Sequence, residues 1–506
     1  MRITTLLVLL LLLRQSYGQN AVAVQYAETI TETDLKDYLK VLASDALEGR
    51  ETGESGQKMA AAYIEHFFWV NNLSPAILAE EDTSYLQSFE LSHRKTGECW
   101  IKLGEHRYQN LKDFVYTGRN HMDAPYSSKP VFVGFGREED IKSMNVNGKD
   151  VLVYCDEGAN SRKEKAQLAL KHGANQVFII QEESEDGFER LLAMYAQYYA
   201  AGKLTLPKKQ NIGQAGYFMI SKAMGLQFFK TNGKVFEKAL VQSREGNYDR
   251  LRKLQPAEIN YYATQVQKTV RTENVLAVVE GTDKKQECLV ITAHYDHLGK
   301  AGDKVYNGAD DDGSGTVAVM EIAQAFAEAK KAGHDPRRSI IFMAFTGEEK
   351  GLLGSSYYVN NPAVPLEQTI TNLNIDMIGR VDDAHLSDPQ YLYLIGSDRL
   401  SSELHQVSED VNADYTHLAL DYKYNDANDP NRYYYRSDHY NFAKMGVPVI
   451  FYFNGIHQDY HKTSDTLDKI DFGLLELRTR LIFYTAWEIA NREKTIAVDV
   501  VKDAGK

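Results

Sequence analysis

Three stretches decide the fold: Cys288-Leu-Val-Ile-Thr-Ala-His-Tyr-Asp-His297, Gly308-Ala-Asp-Asp-Asp-Gly-Ser-Gly315 and Ile340-Ile-Phe-Met-Ala-Phe-Thr-Gly-Glu-Glu349. The first and third begin as short apolar runs, 288–293 and 340–345, and end in polar residues. Residues 288–293 read as a strand, and the unbroken apolar run 340–345 reads as one covered on both faces. Between them, residues 316–332 place Val319, Ile322, Ala323 and Phe326 on one face of an amphipathic helix. Strand, turn, helix, strand is the unit from which parallel sheets are built.

Outward from this unit the pattern continues. Residues 274–279 read as a strand before it, 373–375 and 447–452 as strands after it, and 470–490 as a closing helix. The fold class is therefore α/β, with a mixed, mostly parallel central sheet flanked by helices. Two helices are expected upstream: 31–42, opening on a Thr-x-x-Asp start, and 56–70, with Ala60, Ile64, Phe67 and Phe68 as its apolar stripe. The polar Leu47-Glu48-Gly49-Arg50 lies between them. Residues 111–250 have a different texture. Runs 130–134, 150–154 and 176–180 are β-rich, 166–172 is helical, and 195–213 reads as a flap or loop. This block is expected to be a β-rich module inserted into the larger domain. The expected division is 1–18, 19–110, 111–250 and 251–506.

Residues 1–18 combine Arg2, an apolar run over 6–13 and a small-residue end at Ser16-Tyr17-Gly18, which reads as a cleavable signal peptide. A secreted or periplasmic protein is the expectation, with no stable membrane span after cleavage. Its 506 residues exceed one ordinary core and suggest two or three domains. Fifty-seven Lys+Arg against 70 Asp+Glu give a formal charge of -13, which excludes a phosphate-neutralising, nucleic-acid-binding surface. Cys99, Cys155 and Cys288 form no zinc-thiolate motif, and Cys155 and Cys288 read as small buried hydrophobes.

The chemistry lies at the strand ends. His294, Asp296 and His297 follow the first strand, Asp310, Asp311 and Asp312 form the turn into the helix, and Glu348 and Glu349 follow the next strand. Asp376 ends another, and Tyr460-His-Lys-Thr-Ser-Asp465 adds a histidine. Ligands of open α/β sheets bind beyond the carboxyl ends of strands, so these residues are expected to converge. Imidazole and carboxylate without thiolate suit an open Zn²⁺ site, and also Co or Mn. Two cations about 3.5–4 Å apart would clamp and acidify a water, while a non-ligating carboxylate moves the proton.

With these residues in this order, the chain resembles the M28 family of co-catalytic di-zinc aminopeptidases that carry an inserted protease-associated domain. The likeness runs through Leu42-Ala-Ser-Asp-Ala-Leu-Glu-Gly-Arg50, Thr52-Gly53, Ala293–His297, Gly308–Asp312, Phe345–Glu349, Asn374-Ile-Asp376, Ser437-Asp-His439 and Tyr460–Asp465. It implies a zinc-aminopeptidase-like α/β/α sandwich with two Zn²⁺ per chain. His294 and Asp376 would hold one cation, Glu349 and His461 the other, and Asp311 would bridge them. Glu348 would be the general acid/base, Asp296 would hydrogen-bond His294, and a cis peptide would follow Asp311. Residues 148–154 and 171–180 carry the likeness to the protease-associated domain. Among the three adjacent tyrosines, Tyr434 best matches the family's oxyanion donor.

Other residues receive plainer readings. Asp310 and Asp312 are expected as turn and helix-start residues, His297 as a polar loop residue and not a ligand, and Asp438 and His439 as support for the cleft wall. Asp465 either orients His461 or caps its loop. Residues 386–431 are expected to supply specificity loops. The function implied is exported hydrolysis of the N-terminal residue of peptides with a free amine. The alternatives are a non-catalytic receptor ectodomain on the same fold, a glutaminyl cyclase, and a carboxypeptidase-type relative needing pocket arginines.

Overall fold

The computed structural model describes residues 19–78, 83–118, 120–200, 202–207, 216–229 and 233–500. The expected signal peptide, 1–18, lies outside the described residues. The chain divides into two compact units, one of residues 1–90 with 271–506 and one of residues 91–270. These boundaries fall about twenty residues outside the expected 111–250 at either end.

The first unit holds α1 (Ala21–Ala27), α2 (Glu32–Leu42) and α3 (Ser55–Val70), then the last residues of β1 (Ile259–Val279). There follow β2 (Lys284–His294), α4 (Gly315–Lys331), β3 (Arg338–Phe345), α5 (Leu353–Asn360) and β4 (Thr369–Ile375). The unit closes with β5 (Tyr391–Ile395), α6 (Ser402–Val411), β6 (Ala419–Asp421), α7 (His439–Lys444), β7 (Val449–Phe453) and α8 (Phe472–Asn491). Thr31 caps α2 as its sequence suggests, its side chain accepting from the Asp34 amide.

The strands of this unit run β1-β3-β2-β4-β7-β5-β6. Strands β3, β2, β4 and β7 are parallel, with Ile291 beside Phe342 and Leu373 beside Ile450. β1 and β5 join antiparallel to β3 and β7. The sheet is thus mixed and mostly parallel.

Alternation along the strands feeds two cores. Leu289, Ile291, Phe342, Leu373 and Ile450 pack with Val319, Ile322, Ala323 and Phe326 of α4 and with residues of α2, α3 and α8. Val290, Ile341, Met343, Val449 and Phe451 pack on the other face with Tyr358 of α5 and Phe442 of α7. Each such side chain contributes roughly 1.5–3 kcal/mol on burial. Both faces being covered explains why 340–345 reads as a continuous apolar run.

This arrangement places a crevice. From β2 the chain goes to α4 on one face and returns as β3 on one side. From β3 it goes to α5 on the opposite face and returns as β4 on the other side of β2. The two outgoing segments part at the carboxyl end of β2, a topological switch point.

In the second unit, four parallel strands, Val131–Phe132, Val151–Cys155, Val177–Gln181 and Tyr217–Ser221, are joined by antiparallel Phe114–Tyr116. Helices cover both faces of this sheet. The unit is α/β, where a β-rich module was expected, because its helices Ala159–Lys171, Glu185–Ala200 and Gly233–Arg244 are as extensive as its strands. Part of the expected flap, 195–200, is the end of the helix Glu185–Ala200. All three cysteines are buried and unpaired. No helix among the described residues is long and apolar enough to cross a membrane.

Candidate metal centre

The residues expected to converge meet at the switch point. His294 ends β2, Glu348 and Glu349 follow β3, Asp376 follows β4, and His461 lies in the segment after β7. Asp311 comes from the turn between β2 and α4, and the Asp311–Asp312 peptide is cis. Asp311 is central. Its Oδ1 lies 3.4 Å from His294 Nε2, and its Oδ2 lies 3.1 Å from His461 Nε2. His294 Nε2 also faces Asp376 Oδ1 at 3.7 Å, and His461 Nε2 faces Glu349 Oε2 at 3.3 Å. Two clusters able to hold a cation share Asp311: His294–Asp311–Asp376 and His297–Asp311–Glu349.

Asp376 and the Asp-rich turn are fixed from behind. Asp376 accepts from Ser437 Oγ at 2.6 Å, and Ser437 accepts from Asn374 Nδ2 at 2.9 Å. The relay continues through Thr292, whose hydroxyl donates to Asn374 Oδ1 at 2.7 Å and accepts from Asn372 Nδ2 at 2.9 Å. The backbone amides of Asp310 and Asp311 both donate to the Asp465 carboxylate at 3.1 Å. Asp465 therefore anchors the turn rather than His461. Asp312 ties three elements together, accepting from the amides of His294, Gly315 and Met377 at 3.1, 2.9 and 3.0 Å. Asp310 accepts from the Gly379 amide at 2.7 Å. These are the structural readings of Asp310 and Asp312.

Arg50, from the segment between α2 and α3, is the buried cation behind the centre. Its guanidinium donates to the carbonyls of Tyr295, Leu42, Asn307 and Gly308 at 2.7, 2.5, 2.7 and 2.9 Å. It thereby couples the end of β2 to the start of the Asp-rich turn. Burial pulls its pKa down, while Asp296, Asp465, Asp311 and Asp312 pull the other way.

Asp296 meets His294 as the resemblance implies, but through its backbone and not its carboxylate. His294 Nδ1 meets the backbone carbonyl of Asp296 at 3.0 Å, whereas the carboxylate stands off at 3.9 Å. That carboxylate accepts instead from Thr52 Oγ1 at 2.7 Å and from the Glu348 amide at 3.1 Å. The carbonyl fixes the imidazole, and the carboxylate fixes the backbone of Glu348.

Burial alone would lower the His294 pKa, but Glu348 and Asp376 outweigh it and the net shift is well upward. Burial raises the Asp311 pKa, yet His294 and His461 reverse this and hold it well below the usual range. Glu349 is brought down to about 2, burial and Asp311 being overcome by His297 and His461. Glu348 moves well upward, chiefly by burial, against the opposing pull of His294. The two adjacent glutamates are thus driven apart, one toward the anion and one toward the acid.

Tyr434 is not brought to the cleft. Its ring packs under Arg399, with the guanidinium 4.7 Å from the ring centre, and against His439. Burial pushes its hydroxyl up to about 12. The cleft beside the centre is lined instead by Tyr433 and Tyr460, with Phe451, Phe453, Ile456 and Arg436. Tyr460 stacks on His461, ring centres 3.9 Å apart. Its place directly before the expected ligand His461 was the signal that could have found it. The expected specificity stretch, 386–431, holds β5, α6 and β6 with the turns between them and supplies none of these lining residues. Of the residues expected to support the wall, His439 faces the Tyr434 carbonyl at 2.9 Å, and Asp438 accepts from Ser355.

The donor set fits divalent zinc. Imidazole and carboxylate converge, thiolate is absent from the clusters, and Asp311 Oδ2 and Glu349 Oε1 are buried without a hydrogen-bond partner among the described residues.

Residues 274–486 match the profile of Peptidase family M28. A probable zinc metalloprotease of Pyrenophora teres f. teres (strain 0-1) is 29% identical over 275 residues, 45% of this chain and 53% of the relative. A probable leucine aminopeptidase of Arthroderma otae is 28% identical over 236 residues, 45% of this chain and 60% of the relative. The chain thus spans between half and two thirds of the length of these curated relatives. An aminopeptidase from Aneurinibacillus sp. strain AM-1 shares the fold, with a TM-score of 0.56 at 19% identity, covering 95% of this chain and 98% of that one. The stretch 274–486, which carries every side chain of both clusters, belongs to peptidase family M28.

Proposed function

We propose that this chain is an exported metalloaminopeptidase that holds two zinc ions and removes the N-terminal residue of peptides with a free amine. The observation that carries the reading is Asp311, with one carboxylate oxygen facing His294 and the other facing His461. His294 and Asp376 would hold one ion and Glu349 and His461 the other, Asp311 serving both. Bound zinc would polarise the scissile carbonyl and acidify a water.

Glu348 lies beside the ligands without belonging to either cluster, its Oε2 3.9 Å from His294 Nε2. Its side chain is 11% exposed, toward the cleft. A carboxylate so placed takes a proton from the nucleophile and returns it to the leaving amine. The Asp296 carboxylate, through the Glu348 amide, positions this group. Tyr460 lines the same cleft and supplies a phenol to the developing oxyanion. Phe451, Phe453, Ile456 and Tyr433 suit an apolar N-terminal side chain. The second unit is, in this proposal, a protease-associated-type module.

One observation favours a second reading. Arg436 lines the cleft, so a substrate short enough to present its own terminal carboxylate there would be cut as by a carboxypeptidase-type relative. Hydrolysis of aminoacyl arylamides, free and N-acetylated, with and without chelator, tests the choice. Aminopeptidase action requires the free amine and is lost on chelation. Glu348→Gln should lower kcat about 10²–10⁴-fold with zinc content unchanged. Full activity in that variant would refute the mechanism.

A further inference from the structure

His297 is completely buried, and nothing in its expected role as a polar loop residue accounts for its surroundings. Its amide donates to the Arg50 carbonyl at 3.2 Å, and its backbone bridges to Glu51. The ring lies on Gly308, a residue with φ of +53° where any Cβ would come within 2.5 Å of His297 Cγ. The turn is therefore shaped to admit this imidazole.

The ring's direction is informative. His297 Nδ1 is 2.8 Å from Glu349 Oε1 and 3.8 Å from Asp311 Oδ2. Yet neither ring nitrogen makes a directed hydrogen bond among the described residues, and neither do those two oxygens. A histidine that only oriented Glu349 would aim its N–H along the 2.8 Å line. This one approaches both oxygens and is directed at neither. Ligands about 2.0–2.1 Å from one zinc stand about 2.9–3.4 Å from each other. The 2.8 Å contact and the 3.1 and 3.3 Å contacts of His461 are close to such polyhedron edges.

We propose that His297 is a direct ligand of the second cation, beside Asp311, Glu349 and His461. The inference rests on the two-cation reading above and deepens it. It makes the centre asymmetric: the first position has one imidazole, from His294, and the second has two. The first would keep its open coordination toward the cleft, and the second would be the more tightly held.

The full-length protein, stripped with chelator, is titrated with Co²⁺ and with Zn²⁺ against a competing indicator. The parent should take up two equivalents. His297→Ala and the bulkier His297→Gln should each weaken one equivalent at least tenfold and change its cobalt spectrum through the altered coordination number. Unfolding midpoints of the apo forms establish that the variants fold. Zinc-edge X-ray absorption of the loaded parent needs no variant, and should show three imidazoles averaged over two ions, not two. Two equivalents bound by the variants with parental affinity and spectrum, or two imidazoles in the parent, would overturn the assignment and leave the two-cation reading intact. Fewer than two equivalents in the parent would overturn both.

Discussion

Arg50→Lys is the substitution whose outcome the structure specifies most fully. The guanidinium makes four hydrogen bonds to buried carbonyls, at 2.5–2.9 Å, from three of its nitrogens. A lysine ammonium keeps the charge but presents its donors from one atom, so it cannot span carbonyls on both the β2 end and the Asn307–Gly308 turn. At least two charge-assisted bonds are lost. At about 1.5–3 kcal/mol each, the loss is about 3–6 kcal/mol, a large share of a typical domain's stability. The freed carbonyls of Asn307 and Gly308 lead directly into Asp310 and Asp311, so cation binding weakens with the fold. The assay is urea unfolding of apo and zinc-loaded protein. Arg50→Lys should lower stability in both states, and the increment conferred by saturating zinc should shrink. A variant within 1 kcal/mol of the parent, with an undiminished zinc increment, would refute the reasoning.

Glu321, buried in α4, has its pKa raised from 4.5 to about 8 by burial and by Asp34. The unfolded chain releases this proton above pH 4.5 and the folded chain holds it to about 8, so stability falls as pH rises between those values. Glu321→Gln should abolish that fall and gain about a few kcal/mol over the parent at pH 8, read by urea unfolding at pH 5 and 8. Ser437→Ala removes the hydroxyl that holds Asp376 and should weaken zinc binding about 10–100-fold, read by competitive titration. Tyr460→Phe should lower kcat about a hundredfold with zinc content and KM little changed, whereas Tyr434→Phe should leave kcat unaltered.

The central sheet could be read from the chain because its strands are covered on both faces, which makes 340–345 apolar throughout and leaves only buried Thr and Asn residues among the apolar ones of 288–293 and β4. The strand ends could be read because the polar residues that follow are too many and too acidic for ordinary turns. What failed depended on direction. Which of Tyr433 and Tyr434 faces the cleft is set by rotation within one short helical turn, and no periodicity over three residues fixes it. His297 was passed over because its burial depends on Gly308, eleven positions away, leaving room for a ring. That Asp296 meets His294 was legible, but not that its carbonyl does so while its carboxylate turns to Thr52 and Glu348, because only the path of the chain decides. Residues 386–431 looked like loops because their strands are short and separated by polar turns, yet β5 and β6 pair at the sheet edge.

The register of the parallel strands has a consequence for how the protein matures. His294 sits beside Phe345, Thr292 beside Asn374 and Ile375 beside Tyr452, and each of these pairings sets the height of a neighbouring residue of the proposed metal centre. Slipping one strand by a single residue turns its side chains to the opposite face, and slipping by two carries a ligand about 6.6 Å along the axis. Neither misaligned chain can grip a cation. Cobalt colour should therefore develop only in molecules whose four central strands have docked correctly, making ion uptake a direct gauge of conformational quality during production.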